Sequence, residues 1–177
     1  YDPNHFNDRL LLGLKGTMSE AELHILKARL RGGILSKVRR GEFRCALPTG
    51  LVYDDLGKVI LDPNSQIRET IAHFFETFSR VGSAHQTVKS FNNEGIKYPS
   101  RVWSRQDQRV IFRPLTASAA IRTLHNPRYA GVYAFGRRSI QRSQDGKKIL
   151  RNREQKDWIA CIPNAHPGYI TWERYQE

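Results

Sequence analysis

The chain of 177 residues carries 29 Lys plus Arg against 17 Asp plus Glu, a formal net charge of +12, with 39 % hydrophobic and 26 % charged residues. That balance supplies a core and excludes a disordered polyelectrolyte. A field of this sign favours a polyanion through counterion release, and no apolar run approaches the roughly 18 to 20 residues of a membrane span, so nucleic acid leads over a membrane surface.

The opening Tyr1-Asp2-Pro3 lacks an initiator Met and a signal-peptide pattern, and reads as the start of a fragment. Cys45 and Cys161 are far apart and outside any CxxC pair, as expected of two reduced cysteines in a cytoplasmic protein. Six scattered His, no HExxH and no GxxxxGK[ST] loop give no metal site, no cofactor and no small-molecule substrate.

In chain order, Leu10-Leu11-Leu12-Gly13-Leu14 is a short apolar stretch. Ser19-Glu20-Ala21-Glu22 has the form of a capping box and predicts a helix over 19–40. Its stripe is Leu23, Leu26, Leu30, Ile34 and Val38, and its basic flank includes Arg39 and Arg40. Gly32-Gly33 reads as a helix end or flexible spot, or else as a hinge or a place where backbone comes close to a partner. Residues 41–65 predict a linker with a hairpin, Leu51–Tyr53 against Val59–Leu61, and Asp62–Ser65 a turn.

A helix over 66–80 presents Ile67, Ile71, Phe74, Phe75 and Phe78 on one face. A turn at Val81-Gly82-Ser83, with Ser83 as N-cap, leads to a helix over 84–93 with Val88 and Phe91 inward. Two helices joined by a short Gly-containing turn have the layout of a helix-turn-helix. Residues 96–114 read as irregular. Arg101, Arg105, Arg109 and Arg113 recur there every fourth residue, as a basic edge if helical or a solvated loop if not.

Residues 117–125 predict a short helix with Ala117, Ile121 and Leu124 toward a core. Thr116, Ser118, Ala119, Arg122 and Thr123 would be turned outward as the small and polar set of a groove-reading helix. Gly131–Phe135 and Lys148–Leu150 predict two strands. The connection between them holds Arg137, Arg138, Arg142 and Lys147, turned at Asp145-Gly146, and a third strand falls near Trp158–Ile162. A reading helix followed by a basic hairpin suits a winged helix whose wing tracks phosphates. The fold class is therefore α+β: a long N-terminal helix, then a helix-turn-helix or winged-helix-like domain with a small antiparallel sheet.

Gly16–Leu23, followed by Arg29-Leu30-Arg31-Gly32-Gly33 and Arg39-Arg40-Gly41-Glu42, resembles the long helix that closes the catalytic domain of serine recombinases. Asn126-Pro127-Arg128-Tyr129-Ala130-Gly131-Val132-Tyr133 resembles the NPxYxG signature of the recombinase domain of large serine integrases. Gly82-Ser83 and Phe91–Ile96 fit the same domain. The resemblance implies residues 1–40 as the end of the catalytic domain and the long helix, 41–65 as linker, 66–165 as the DNA-binding domain and 166–177 as the start of a connecting segment. It further implies double-stranded DNA as partner, a homodimer or tetramer in the full-length protein, and strand exchange through a 5′-phosphoserine link. The nucleophilic serine would lie upstream, so the chain alone would be inactive. Glu22 and Arg29 match positions of the family's long helix, whereas Leu23 stands where smaller members have Arg.

The DNA-contact set read from charge, spacing and resemblance is Arg39, Arg40, Arg101, Arg105, Thr116, Ser118, Arg122, Arg128, Arg137, Arg138 and Arg142. Two other classes compete with the recombinase reading: a stand-alone winged-helix regulator and a basic RNA-binding protein.

Overall fold

The structure, a computed structural model, describes residues 6–103, 108–143 and 145–177. The chain divides into two units, one ending at Phe43 and one running from Arg44 to Glu177. The first unit is dominated by a single helix, α1 (Phe6–Arg39). Ser19 therefore lies in mid-helix, and the capping box does not start it. The Leu10–Leu14 run and its polar neighbours are adequate helix formers, so the helix extends through the capping signal. Gly32 and Gly33 do not end the helix either; a Cβ built on them would meet nothing within 4 Å. The C-terminus closes with the Glu42 amide donating to the Lys37 carbonyl at 2.9 Å. Leu23, Leu26, Leu30 and Ile34 are exposed along one stripe of the helix, whereas Val38 is buried. No helix of the described residues is long and apolar enough to cross a membrane.

The second unit mixes short helices with four two-stranded antiparallel sheets, an α+β arrangement. The hairpin β1 (Leu51–Tyr53) and β2 (Val59–Leu61) falls where expected. Asn64 caps α2 (Ser65–Val81), its side chain accepting from the Gln66 amide, and Gly82-Ser83 leads into α3 (Ala84–Asn93). From α2, Ile67, Ile71, Phe74 and Phe75 pack with Phe91 of α3 to form the core, joined by Tyr98, Leu115, Ala120 and Tyr129.

The stretch expected to be irregular is instead a hairpin, β3 (Lys97–Trp103) against β4 (Gln108–Pro114). Pro99 masked the strand signal, but a two-stranded sheet leaves an outer edge on each strand where a missing N–H costs no ladder bond. The four-residue arginine spacing has no helical meaning here. Arg101 opposes Val110, whereas Arg109 opposes Val102 and Arg113 opposes Tyr98, so Arg101 lies on the opposite face from Arg109 and Arg113.

Helix α4 (Ala117–Leu124) begins at Thr116, whose hydroxyl accepts from the Ala119 amide. Its inward face differs from the expected one. Ala120 and Thr123 are buried, while Ile121 is 47 % exposed and Ala117 is exposed too. The Thr123 hydroxyl meets the buried Tyr98 phenol at 3.1 Å, and a buried hydroxyl needs such a partner. That polar pairing turns the helix one position from the purely apolar reading.

Strand β5 (Tyr133–Phe135) pairs with β8 (Ala160–Ile162) and not with the Lys148–Leu150 segment. The basic connection itself forms β6 (Arg138–Arg142), which pairs with β7 (Lys148–Asn152). Arg-Ser-Ile-Gln-Arg carries no strand pattern because a ribbon solvated on both faces needs none. Helix α5 (Trp172–Gln176) completes the described residues.

Candidate nucleic-acid interface

The NPxYxG segment is built from local backbone chemistry. The Asn126 side chain accepts from the Arg128 amide, Pro127 opens a 3-10 turn over Pro127–Ala130, and Gly131 leaves it at φ +70°. Tyr129 points into the core, where its ring meets Phe75 and Tyr169. Its hydroxyl donates to the Thr49 carbonyl at 2.9 Å, and Tyr169 donates to the Gly50 carbonyl at 2.8 Å. Burial pushes the Tyr129 phenol well above its ordinary range, which keeps it a neutral donor. The motif that carries the resemblance is thus an internal brace, and it positions the surface beside it.

That surface includes a cleft of about 430 Å³ between the 47–49 segment, the β3–β4 hairpin and α4. Arg101, Arg113, Arg122, Thr116 and Asn126 line it, and no carboxylate does among the described residues. Arg113 and Arg122 are exposed. The Arg122 Nε donates to the Ser118 carbonyl at 3.1 Å, which lays the side chain along α4. Arg101 is tied inward, donating to the Leu47 and Leu51 carbonyls at 3.2 Å each. It shapes the cleft wall and presents less free charge than spacing suggested.

The remaining candidates separate by burial. Thr116 and Ser118 are exposed at the start of α4, although the Thr116 hydroxyl is engaged as a cap. Ala119 is partly buried, and Thr123 fully so. Arg138 and Arg142 are exposed on β6 and make no ion pair among the described residues. Arg137 is half-buried over the Trp158 ring and donates to the His125 carbonyl. Burial, with Arg138 and Arg128 nearby, holds its guanidinium below the ordinary arginine value. Arg128 is only 6 % exposed and lies over the Tyr133 ring at 5.3 Å, inside rather than on the surface. In the first unit Arg39 is exposed, and Arg40 is held by Glu42 through two 2.8 Å bonds. Arg105 lies outside the described residues. Among those residues no group of three or more His, Cys, Asp or Glu is placed to hold a metal.

Sequence reasoning missed three features: Arg113 in the cleft, the exposed Ile121 and the exposed pair Ile140 and Leu150. Ile121 was missed because periodicity turns such a side chain inward, and the Ile140–Leu150 pair because residues 138–142 were read as a connection and not as a strand.

The fold and this surface define a basic α+β module with a carboxylate-free cleft beside a short capped helix. The Recombinase family model matches residues 66–177, and the chain belongs to that family. A protein of Sinorhizobium fredii (strain NBRC 101917 / NGR234), named "Uncharacterized protein y4bA/y4pH", is 48 % identical over 179 residues, covering 99 % of this chain and 26 % of the relative. The chain therefore spans about a quarter of that relative's length. No solved structure matches.

Proposed function

We propose that the chain is a sequence-specific duplex-DNA-binding module of a serine site-specific recombinase. In this reading residues 66–165 are the DNA-binding domain, 41–65 the linker, 166–177 the start of a connecting segment, and the catalytic serine lies outside the chain. The observation that carries the reading is the uncovered face of α4. Ser118, Ile121 and Arg122 are exposed beside a cleft whose cations meet no carboxylate among the described residues. A helix of small, polar and cationic side chains fits the major groove, where arginine reads guanine bidentately. The pair α2–α3 then serves as the support of a winged-helix-like arrangement, with the β6–β7 ribbon as its wing. The apolar stripe of α1 suits assembly into the dimer or tetramer of the full-length protein.

Binding of the chain to a random duplex pool, with selection at two salt concentrations, tests this directly. One enriched half-site is the expected result. Motif-free binding that collapses with salt would leave only a general polyanion binder.

Two substitutions separate readout from positioning. Arg122→Ala should cost about 1–3 kcal/mol on the selected site and relax preference at one base pair. Equal loss on selected and random duplexes would assign Arg122 to a phosphate. Replacing Arg138 and Arg142 together by Ala should weaken all duplexes similarly and flatten the log–log salt slope by about 2. An unchanged slope would remove both from the interface.

A further inference from the structure

The β6–β7 ribbon carries an apolar pair that a purely phosphate-tracking wing would not need. Register places Ile140 directly opposite Leu150, so both side chains lie on one face. Ile140 is 65 % exposed and Leu150 57 % exposed. On the same face, Arg138 and Arg142 stand before and after Ile140, and Lys148 opposes Arg142. The other face carries Ser139, Gln141, Ile149 and Arg151. Among the described residues β6 and β7 pair only with each other, so no further strand pairs with either edge.

We infer that this face reads DNA bases: Ile140 and Leu150 contact thymine 5-methyl groups on the floor of the major groove, between phosphates held by Arg138, Arg142 and Lys148. The inference rests on the DNA-binding reading above and goes beyond it by giving the wing a base-reading role. Three cations around the pair select a polyanion as occupant. Two side chains are too little surface for a stable protein interface, which needs roughly 800 Å² from each partner. A two-stranded ribbon fits the major groove, about 12 Å wide, and the thymine methyl is the apolar group displayed there. The central position of the pair sends it to the groove floor. The longer arginines on either side of it reach the walls.

The test begins with the duplex selected from a random pool by the whole chain. That duplex is remade with deoxyuridine for thymine, one position at a time, which removes a single methyl and leaves the hydrogen-bonding edge intact. Wild-type binding should weaken about four-fold at one or two positions, the effect of exposing one methyl-sized group. Ile140→Ala and Leu150→Ala should each lose that sensitivity. Ile149→Ala, on the opposite face, should retain it. All three side chains are substantially exposed, and far-UV circular dichroism confirms that the variants fold. Wild-type binding without methyl sensitivity overturns the inference while the DNA-binding reading stands. So does methyl sensitivity that persists in both Ile140→Ala and Leu150→Ala. Failure to bind any duplex overturns both. Methyl-insensitive binding together with a concentration-dependent dimer that the double variant abolishes assigns the face to a second copy of the chain, and overturns the inference too.

Discussion

Gly131→Ala should destabilise the second unit by about 2–5 kcal/mol, measured by urea unfolding. Two effects add. Gly131 has φ +70°, a left-handed conformation that costs an alanine about 1–2 kcal/mol. A Cβ there would also lie 2.5 Å from the backbone oxygen of His166, so backbone must shift, at about 1–3 kcal/mol. The shift falls on the segment that closes the fold. The amides of Ala165 and Tyr169 donate to the Gly131 and Tyr129 carbonyls at 2.9 and 2.7 Å. Gly95→Ala supplies the comparison, because Gly95 has φ +67° with nothing within 4 Å of a built Cβ. It should lose only the conformational part. Equal losses in the two variants would show that the His166 collision is relieved at no cost.

Phe74→Ala should cost about 3–5 kcal/mol, a large share of the roughly 5–15 kcal/mol that holds a domain together. The Phe74 side chain is fully buried, with ring centroids at 5.3, 5.5 and 6.0 Å from Phe75, Tyr98 and Phe91. Its removal takes away a ring that α2, α3 and β3 all touch, and close packing limits collapse into the space. The urea midpoint should fall sharply with an unchanged slope. Ile121→Ala, on the open face of α4, should move stability by no more than about 0.5 kcal/mol. A Phe74→Ala loss below about 1 kcal/mol would mean that the core is repacked or already loose at that point.

Much of the helical scaffold was legible in the sequence. The run Ile67, Ile71, Phe74, Phe75 marks an inward face by spacing alone, and Ser83 stands at the N-cap position of α3 where the turn residues put it, although its side chain makes no capping bond. What escaped has a physical pattern. Hairpin β3–β4 was hidden by Pro99, and strand β6 by its lack of an apolar alternation. Both are two-stranded ribbons held by backbone pairing, which side-chain periodicity does not report. The face of α4 was misjudged because Thr123 goes inward to satisfy Tyr98. Charge alone also could not sort the arginines. Arg122 and Arg138 reach solvent, whereas Arg101 holds two carbonyls and Arg128 lies inside. Spacing counts guanidinium groups without knowing which of them the fold has already used.

The two tyrosine hydroxyls that hold the 49–50 carbonyls set an order of assembly. The Gly50 carbonyl receives its proton donor from a residue 119 positions later. A contact of that span forms late, since a long loop must close before the contact returns anything. During synthesis the aromatic face of α2 meets Phe91, Tyr98 and Tyr129 well before Tyr169 exists, so the tie onto the Gly50 carbonyl is added to a core whose other members are already made. A nascent chain stalled before residue 169 would lack that tie while holding every buried member of the core cluster. Any version of this module cut back past Tyr169 would lose the tie to the Gly50 carbonyl and keep the Tyr129 tie to Thr49.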